Sequence, residues 1–314
     1  MERYKIQVSY RLNGMRVDHA MAESIPGMSR RRAKAIIDTG GVYLNTKRMR
    51  VASRTVGKGD HIEVEYNPEL FKPKTKEQLS LLASDILYQD EQLFVINKPA
   101  GLPSQATRDQ AILHVVPVLE KLLRSLDLTP GDLQLVHRLD KDTTGCLIIA
   151  RNKKAMTLLT DQFREKTMAK TYHALAYGMV DADFEEICQL SSIQANSGRV
   201  KVMKHGGKTS HTKFKVLQTF PKIQATLLEC TPVTGRSHQI RVHLEKNKFP
   251  LIGDKVYGEA HRGKLPEALD ACVTHQLLHA HTLVFTHPER PEKISVTAPY
   301  PASFAAFLTQ ASTL

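Results

Sequence analysis

The sequence predicts an α+β protein built from two domains. A length of 314 residues fits about two domains of roughly 150 residues each. Residues 1–66 and 83–314 both combine strand-like apolar runs with helical patterns, and a segment with two prolines and no clear period separates them at 67–82. We therefore predict a small N-terminal α/β domain, a linker and a larger C-terminal domain.

Composition excludes several classes of protein. Hydrophobic residues make up 41% of the chain, and no apolar run reaches the ~18 residues that a membrane span needs. No secretory signal peptide opens the chain and its four cysteines form no C-x-x-C pair, so we expect reduced thiols and a cytoplasmic location. The net charge of +12 favours a polyanionic partner.

The N-terminal domain carries much of the positive charge. Residues 1–66 hold 13 Lys and Arg residues against 7 Asp and Glu residues. Ser29 is a favourable N-cap for a helix over Arg30–Asp38, and three arginines crowd the first turn, where the helix dipole disfavours cations. One interpretation of these cations is a solvated charged surface of the helix. The unfavourable interaction of cations with the helix N-terminus indicates the alternative, a surface that faces an anionic partner.

The C-terminal domain begins with two predicted strands, Ile86–Tyr88 and Leu93–Ile96, on either side of a turn. The sequence Asn97-Lys98-Pro99 then leads into a glycine turn, to which we assign no chemical step. Apolar residues at helical spacing predict a core helix over Ile112–Leu126.

A stretch over Val136–Asn152, VHRLDKDTTGCLIIARN, presents a carboxylate on a tight turn. His137 and Arg138 form a basic pair before Asp140, and Cys146–Ala150 predicts a buried strand. A carboxylate held beside an arginine on a turn is a reasonable way to present a reactive group. The alternative is an aspartate that only caps its own turn.

Three other interpretations of this stretch fail. A calcium loop would need a glutamate at the twelfth position, where Arg151 stands. A kinase catalytic loop is excluded because Leu139 interrupts the H-R-D triplet and no D-F-G follows. Asp140 also lacks the serine and histidine arrangement of a hydrolase triad.

The elements after this stretch alternate between helix and strand. Asn152 is a plausible cap for an amphipathic helix, and the strand KTYHALAYG that follows places Tyr172 and Ala174 on one face. Residues Arg199–Lys215 predict a basic hairpin, and their GGKT string lacks the first glycine and the helix of a phosphate loop. The cations of this hairpin suit contact with a nucleic-acid backbone, which needs charge and little sequence.

The last part of the chain combines a helix with several histidines. Ser237–Glu245 has apolar residues at helical spacing. His275, His279 and His281 could indicate zinc, but Gln276 replaces the glutamate that a zinc-protease helix needs. We therefore predict no metal site.

Two strings closely match a known family. HRLDKDTTG and TGRSHQIRVH resemble the signatures of the RluA-type RNA pseudouridine synthases, which convert uridine to pseudouridine in structured RNA. NKPAGL, KTYHA and HAHTLVFTHP resemble further motifs of that family, in the same order along the chain. DTTG replaces the commoner DTSG, a mild change that should keep the turn. The resemblance implies a catalytic domain with a mixed, mainly antiparallel sheet and flanking helices.

The resemblance also implies roles for individual residues. Asp140 would be the catalytic residue, Arg241 would pair with it, and Tyr172 would stack on the target uracil and shuttle protons. A tyrosine packed in the sheet with its hydroxyl bonded is the alternative for Tyr172. Further residues would contact the RNA: Arg138, Arg236 and His238.

The N-terminal string SRRRAKAIIDTGGVYLNTKRMR resembles the S-four RNA-binding domain, named after a ribosomal protein. In that domain a helix pair and a short hairpin bind the RNA backbone. The residues that the resemblance implies for this contact are Arg30, Arg31, Arg32, Lys47 and Arg48.

We therefore predict an RNA pseudouridine synthase that needs no cofactor and acts as a monomer on structured RNA. Large-subunit ribosomal RNA is favoured, because family members with such an N-terminal domain usually act there, and transfer RNA remains open. A non-catalytic RNA-binding protein and a metal-dependent hydrolase are the competing functions. The joint presence of Asp140, Tyr172 and Arg241 argues against the first, and a metal analysis would test the second.

Overall fold

The computed structural model of the chain describes residues 2–66, 79–106, 113–194, 196–261 and 263–314. The chain divides into two compact units, Met1–Gln78 and Leu79–Leu314. The predicted linker covers residues 67–82, of which 67–78 lie outside the described residues. The predicted domain limits therefore stay a prediction.

The first unit combines two helices with an antiparallel sheet. Its elements are β1 (Glu2–Gln7), α1 (Val17–Ser24), α2 (Arg30–Asp38), β2 (Val42–Leu44), β3 (Lys47–Arg48) and β4 (His61–Tyr66). The strands pair in the order β1-β4-β2-β3. Ser29 caps α2 as predicted, since its Oγ accepts a hydrogen bond from the Arg32 amide at 3.2 Å. Ala33, Ile36 and Ile37 of α2 are fully buried, which confirms the apolar face of this helix.

The second unit is a large sheet with helices on both faces. Its elements are β5 (Ile86–Gln89), β6 (Leu93–Lys98), α3 (Val115–Ser125), β7 (Gln134–Leu135), β8 (Thr144–Ala150), α4 (Lys153–Arg164), β9 (Ala169–Tyr177), β10 (Phe184–Leu190), β11 (Val202–Met203), β12 (Lys208–Phe220), β13 (Ala225–Pro232), α5 (Gln239–Lys246), α6 (Glu267–Cys272), β14 (Leu278–Thr286), β15 (Lys293–Thr297) and α7 (Ala302–Thr313).

The described strands of this unit form one mixed, mainly antiparallel sheet, as predicted. Its main order is β11-β10-β12-β13-β9-β14-β8-β6-β5, with β15 beside β14 and β7 beside β8. Only β8 and β14 pair in parallel among these strands, at Thr144 with His279 and at Gly145 with Ala280. This pairing brings the start of β8, and hence the turn before it, against the start of β14.

Strand β8 is buried along its whole length because helices cover both of its faces. Leu147 and Ile149 pack in the cluster that includes α3, and Ile148 packs in the cluster that includes Ala155 and Leu159 of α4. The predicted cap of α4 is confirmed, since Asn152 Oδ1 accepts from the Ala155 amide at 2.8 Å.

Some predicted elements differ from those observed. Helix α3 begins at Val115 instead of Ile112, which lies outside the described residues. Helix α5 begins at Gln239 instead of Ser237, because His238 has a left-handed backbone with a φ of 54°. None of the helices in the described ranges is long and apolar enough to cross a membrane.

The predicted basic hairpin at Arg199–Lys215 is wrong. Strand β11 does not pair with β12; both pair with β10, one on each edge. The physical reason is that β10 offers two free edges, and the chain between β11 and β12 crosses its end at Gly207. A Cβ at Gly207 would lie 3.0 Å from the Leu190 backbone, so glycine allows this close crossing.

Candidate active site around Asp140

Asp140 lies in the loop between β7 and β8, at a turn that residues at the start of β14 hold in place. The Thr143 amide donates to the Asp140 carbonyl at 3.1 Å. Gln276 Nε2 donates to Thr143 Oγ1 at 2.8 Å, and Thr144 Oγ1 bonds to His279 Nδ1 at 2.8 Å. All four of these supporting side chains are buried, so the turn is held by well-defined contacts.

Gly145 allows this turn to approach β14. Its φ is 102°, and a Cβ at this position would lie 2.2 Å from the Ala280 carbonyl oxygen. Any side chain here would therefore push the two parallel strands apart.

Two side chains hold the backbone on either side of Asp140. Ser104 Oγ donates to the Leu139 carbonyl at 2.8 Å and accepts from the Leu139 amide at 3.0 Å. Lys98 Nζ donates to the Lys141 carbonyl at 2.9 Å. Lys98 is fully buried, and its burial lowers its pKa to about 7 against the opposing charges of the nearby aspartates. The N-K-P sequence thus positions the Asp140 loop.

Arg241, on α5, joins two carboxylates. Its Nη1 donates to Asp140 Oδ2 at 2.9 Å, the contact that the sequence resemblance implies. Its Nε and Nη2 donate to the two oxygens of Asp254 at 2.7 and 2.9 Å. The Asp254 side chain is 0% exposed, whereas that of Asp140 is 27% exposed. Asp254 therefore fixes the guanidinium, and Asp140 stays open to solvent on the other side of it.

The pair of Arg241 and Asp254 is charged at neutral pH. Burial lowers the pKa of Arg241, but the hydrogen bonds and charge of Asp254, followed by those of Asp140, outweigh burial and raise it. Burial raises the pKa of Asp254, but the hydrogen bond and charge of Arg241 outweigh burial and lower it. Asp140 thus faces a permanent cation.

Tyr172 lies on β9, opposite Ala280 of β14 and Cys230 of β13. Burial, followed by the negative charge of Asp140, raises the pKa of Tyr172, so the phenol is protonated at neutral pH. None of the described residues hydrogen-bonds to its hydroxyl. The alternative of a tyrosine whose hydroxyl bonds within the sheet is therefore not what the structure shows.

His238 also lies beside Asp140. Its Nε2 is 3.9 Å from Asp140 Oδ2, and its Nδ1 is 3.0 Å from the hydroxyl oxygen of Tyr257. Burial lowers the pKa of His238 despite the opposing charge of Asp140, so the imidazole is neutral at neutral pH. The Arg241 guanidinium lies over the Tyr257 ring, 5.0 Å from its centroid.

The two arginines of the second unit that are predicted to contact RNA differ in their surroundings. Arg138 is exposed at the surface, two residues before Asp140. Arg236 donates from Nε to the Thr209 carbonyl at 3.0 Å, and its amide donates to Gln239 Oε1 at 3.0 Å. Gln239 also accepts from Thr234 Oγ1 at 2.7 Å, so it fixes the loop that carries Arg236 and precedes α5.

The cations of the first unit that are predicted to contact RNA differ in the contacts that they make within the protein. Arg48 donates from Nε to the Gly40 carbonyl at 2.8 Å and so also stabilises the end of α2. The guanidinium of Arg32 lies 5.1 Å from the centroid of the Tyr66 ring. Lys47 is exposed.

Two further arginines stand at the start of α2. Arg30 Nη2 lies 3.9 Å from Asp18 Oδ2. The side chain of Arg31 lies outside the described residues.

His137 does not form a basic pair with Arg138, and that prediction is wrong. Its Nε2 accepts a hydrogen bond from the Ile148 amide at 3.1 Å. Burial, followed by the charge of Lys170, lowers the pKa of His137 to about 3, so the ring is neutral. This histidine supports the strand behind Asp140.

Sequence reasoning missed Asp254 and Tyr257. Both belong to the string GDKVYG after α5, where a lone aspartate beside a glycine is most typical of a turn. The backbone does turn at Asp254, since the amides of Val256 and Tyr257 donate to Asp254 Oδ1. No sequence signal shows that the other function of Asp254 is to bind Arg241.

The C-terminal histidines bond to the protein itself. His279 bonds to Thr144, and His275 Nδ1 lies 2.8 Å from Thr274 Oγ1. Within the described ranges, no group of three or more His, Cys, Asp or Glu residues could hold a metal ion. The absence of a cofactor from the reaction stays a prediction.

The chain is similar to known proteins over most of its length. A family model described as RNA pseudouridylate synthase matches residues 92–246. A ribosomal large subunit pseudouridine synthase D from Neisseria meningitidis is 34% identical over 95% of this chain and 79% of the relative. A ribosomal large subunit pseudouridine synthase C from Vibrio cholerae is 32% identical over 97% of this chain and 96% of the relative. The solved structure of human RNA pseudouridylate synthase domain containing 4 matches with a TM-score of 0.59 and 26% identity, over 74% of this chain and 94% of that one.

Proposed function

The chain belongs to the RluA-type RNA pseudouridine synthases, and on this premise we propose that it isomerises specific uridines in large-subunit ribosomal RNA, with Asp140 as the catalytic residue. The names of the two bacterial relatives support this choice of RNA. Transfer RNA is the alternative substrate.

The observation that carries the proposal is the arrangement of Asp140, Arg241 and Asp254. Asp254 takes two guanidinium N–H groups of Arg241, which leaves Nη1 directed at Asp140. A buried guanidinium fixed in this way holds a partly exposed carboxylate in one position and keeps a positive charge beside it. A reactive carboxylate needs this combination of fixed position and access.

The reaction rearranges bonds within one nucleotide. The bond between uracil N1 and ribose C1′ breaks, a bond between uracil C5 and C1′ forms, C5 loses a proton and N1 gains one. The uridine must first leave its stack, because the glycosidic bond is inaccessible inside a helix. Asp140 then attacks either C1′ or the uracil ring, and the detached uracil turns before it rejoins through C5.

Tyr172 would contact the uracil during this turn. Its ring can stack on the base, and its protonated hydroxyl can donate a hydrogen bond or take part in moving the C5 proton. Because its pKa is raised, the tyrosine is a donor first and becomes a base only if another group accepts its proton.

Cationic side chains of both units would bind the RNA. In the second unit, Arg138 would hold the backbone or fill the space that the flipped base leaves, and Arg236 would lie at the entrance beside His238. In the first unit, the S-four resemblance and the net charge support backbone contacts by the predicted arginines and Lys47. We also infer that the protein acts as a monomer in the cytoplasm, where ribosomal RNA and free thiols occur together.

Mapping of pseudouridines in cellular RNA tests the proposal. Cells that lack the protein should lose pseudouridine at one or a few positions of large-subunit ribosomal RNA. The wild-type gene should restore it, whereas a gene that encodes Asp140→Asn should not. Loss of the modification only in transfer RNA would refute the proposed substrate, and restoration by Asp140→Asn would refute the proposed catalytic residue.

A further inference from the structure

The space between His238 and Asp140 has the chemistry of a hydroxyl site. We propose that these two side chains bind the ribose 2′-hydroxyl of the target uridine, with His238 Nε2–H as donor and Asp140 Oδ2 as acceptor. The inference rests on the proposed function, because it requires a uridine at Asp140.

Tyr257 contacts His238 at Nδ1, whereas Asp140 lies nearest to Nε2, and the Tyr257 contact is compatible with a proton on Nε2. The Val200 amide donates to the Tyr257 hydroxyl oxygen at 2.7 Å, so that oxygen already accepts one hydrogen bond. Its own proton can go to His238 Nδ1 at 3.0 Å or to the Val200 carbonyl at 3.4 Å. The shorter contact is the stronger hydrogen bond. When the Tyr257 hydroxyl donates to His238 Nδ1, the proton of the neutral ring lies on Nε2.

The carboxylate of Asp140 favours the same tautomer. Nε2 lies 3.9 Å from Asp140 Oδ2, and an N–H in this position is attracted to the carboxylate whereas a lone pair would be repelled. That distance is too long for a direct hydrogen bond. An atom that hydrogen-bonds to both groups can therefore lie beside them.

Few groups of a nucleotide satisfy both neighbours. Such a group must accept from His238 and donate to Asp140, and a single hydroxyl does both. Carbonyl and phosphate oxygens only accept, and the carboxylate would repel them. In a nucleotide inside an RNA chain the 3′ and 5′ oxygens are esterified, so the 2′-hydroxyl is the remaining ribose hydroxyl. A water molecule is the other possible occupant.

The position is both accessible and firmly held. The side chains of His238 and Asp140 are 14% and 27% exposed, so a ligand can reach them. Tyr257 lies under the guanidinium of Arg199 as well as that of Arg241, at 4.7 and 5.0 Å from its ring centroid. Tyr257 is thus a positioning residue, which acts on the ribose only through His238.

Asparagine is the informative replacement for His238. His238 has a φ of 54°, a conformation that asparagine tolerates and alanine does not. The Asn side chain is too short to replace the Nε2–H group. His261→Asn is a matched control, because His261 stacks on Tyr177 and has no predicted function in the reaction.

The test uses two short RNAs that contain the mapped target site, one with uridine and one with 2′-deoxyuridine at that position. Single-turnover rates are measured for wild type, His238→Asn and His261→Asn. Loss of the 2′-hydroxyl should slow wild type and His261→Asn by roughly 10- to 100-fold through the missing hydrogen bonds. His238→Asn should be slow on the uridine RNA. Replacing that uridine by deoxyuridine should reduce its rate by a much smaller factor than it reduces the rate of wild type. The intrinsic effect of the 2′-hydroxyl on glycosidic-bond reactivity is common to all three proteins and cancels in this comparison.

The results of this experiment distinguish a failure of the 2′-hydroxyl site from a failure of the proposed function. An equal loss in wild type and His238→Asn would overturn the 2′-hydroxyl site and indicate a water molecule instead. A wild-type protein that makes no pseudouridine even in the uridine RNA would instead refute the proposed function. Tyr257→Phe should lower the ratio of the rates on the two RNAs, a quantity that a merely structural role would leave unchanged. Melting curves confirm that each variant is folded at the assay temperature.

Discussion

The Asp140 turn of the second unit and the start of α2 in the first unit present charge in two different ways. Buried side chains fix the Asp140 turn from several directions, among them Ser104, Lys98 and Arg241. The cations of the first unit lie on its surface, where Lys47 is exposed and Arg30 lies 3.9 Å from a carboxylate.

This difference fits the two tasks that we propose for these regions. A group that forms and breaks bonds must be held within a fraction of an ångström, and burial with complete hydrogen bonding provides this precision. Contacts to a nucleic-acid backbone depend mainly on the number of charges and tolerate mobile side chains. Substitutions should therefore affect turnover or folding at Asp140, and only salt-dependent affinity at the first unit.

The largest effect should come from Asp140→Asn. Turnover should fall by on the order of 10⁴-fold or more, because the amide is a very poor nucleophile. RNA binding should survive. Arg241 keeps Asp254 as partner, so the free energy of unfolding should change by only about 1 kcal/mol. The assay is release of a tritium label from uridine C5, and normal turnover by the folded variant would refute the assignment.

Substitution of Asp254, the second carboxylate that Arg241 contacts, should reduce stability much more than substitution of Asp140. Asp254→Asn removes a fully buried charge partner, so we expect a loss of about 3–5 kcal/mol in the free energy of unfolding. Urea denaturation of this variant beside Asp140→Asn gives the comparison. Similar stabilities for the two variants would show that Asp254 does not fix the guanidinium.

Tyr172→Phe separates chemistry from binding at the same site. The ring keeps its stacking face but loses the hydroxyl, so we expect turnover to fall by about 10²- to 10⁴-fold with unchanged RNA affinity. Single-turnover rates and filter binding measure the two quantities. Wild-type turnover would leave Tyr172 as a packing residue.

Acid should destabilise the second unit through histidines that are buried or partly buried. The pKa of His137 is lowered to about 3, and those of His173, His243 and His279 to about 4, in each case mainly by burial. Below a pH of about 6.5 the unfolded chain binds protons that the folded protein does not, so stability falls as pH drops towards these values.

The size of this effect can be measured between pH 6.5 and about 5.5, above the range in which most carboxylates titrate. Each neutral histidine contributes up to about 1.4 kcal/mol per pH unit to the loss of unfolding free energy. His243→Asn should lower the measured slope by about that amount. A slope that does not change would mean that His243 is protonated in the folded protein.

The smallest effect should come from Lys47→Ala in the first unit. If Lys47 contacts one phosphate, the slope of log affinity against log salt should shrink by about 0.7 to 0.9, with turnover of bound RNA unchanged. Lys5→Ala is the matched control, because Lys5 is also exposed but pairs with Glu63 at 3.2 Å and is not predicted to contact RNA. Equal slopes for the two variants would remove Lys47 from the predicted RNA surface.

The sequence by itself determined the class of fold and predicted the residues that we propose as reactive. Local patterns predicted α2 with its Ser29 cap, α4 with its Asn152 cap, and the buried strand after Asp140, because caps and apolar periodicity act over a few residues. The resemblance placed Arg241 opposite Asp140, although 101 residues separate them along the chain.

Only the tertiary structure decided which residues support these groups. In the sequence Asp254 looks like a turn aspartate only and His137 like a cation, whereas in the structure Asp254 also binds Arg241 and His137 accepts a hydrogen bond as a neutral ring. The hairpin at Arg199–Lys215 failed because β11 and β12 each pair with the preceding strand, β10, and not with each other. Charge state and strand pairing depend on neighbours that are distant in sequence, and these neighbours come together only when the sheet forms.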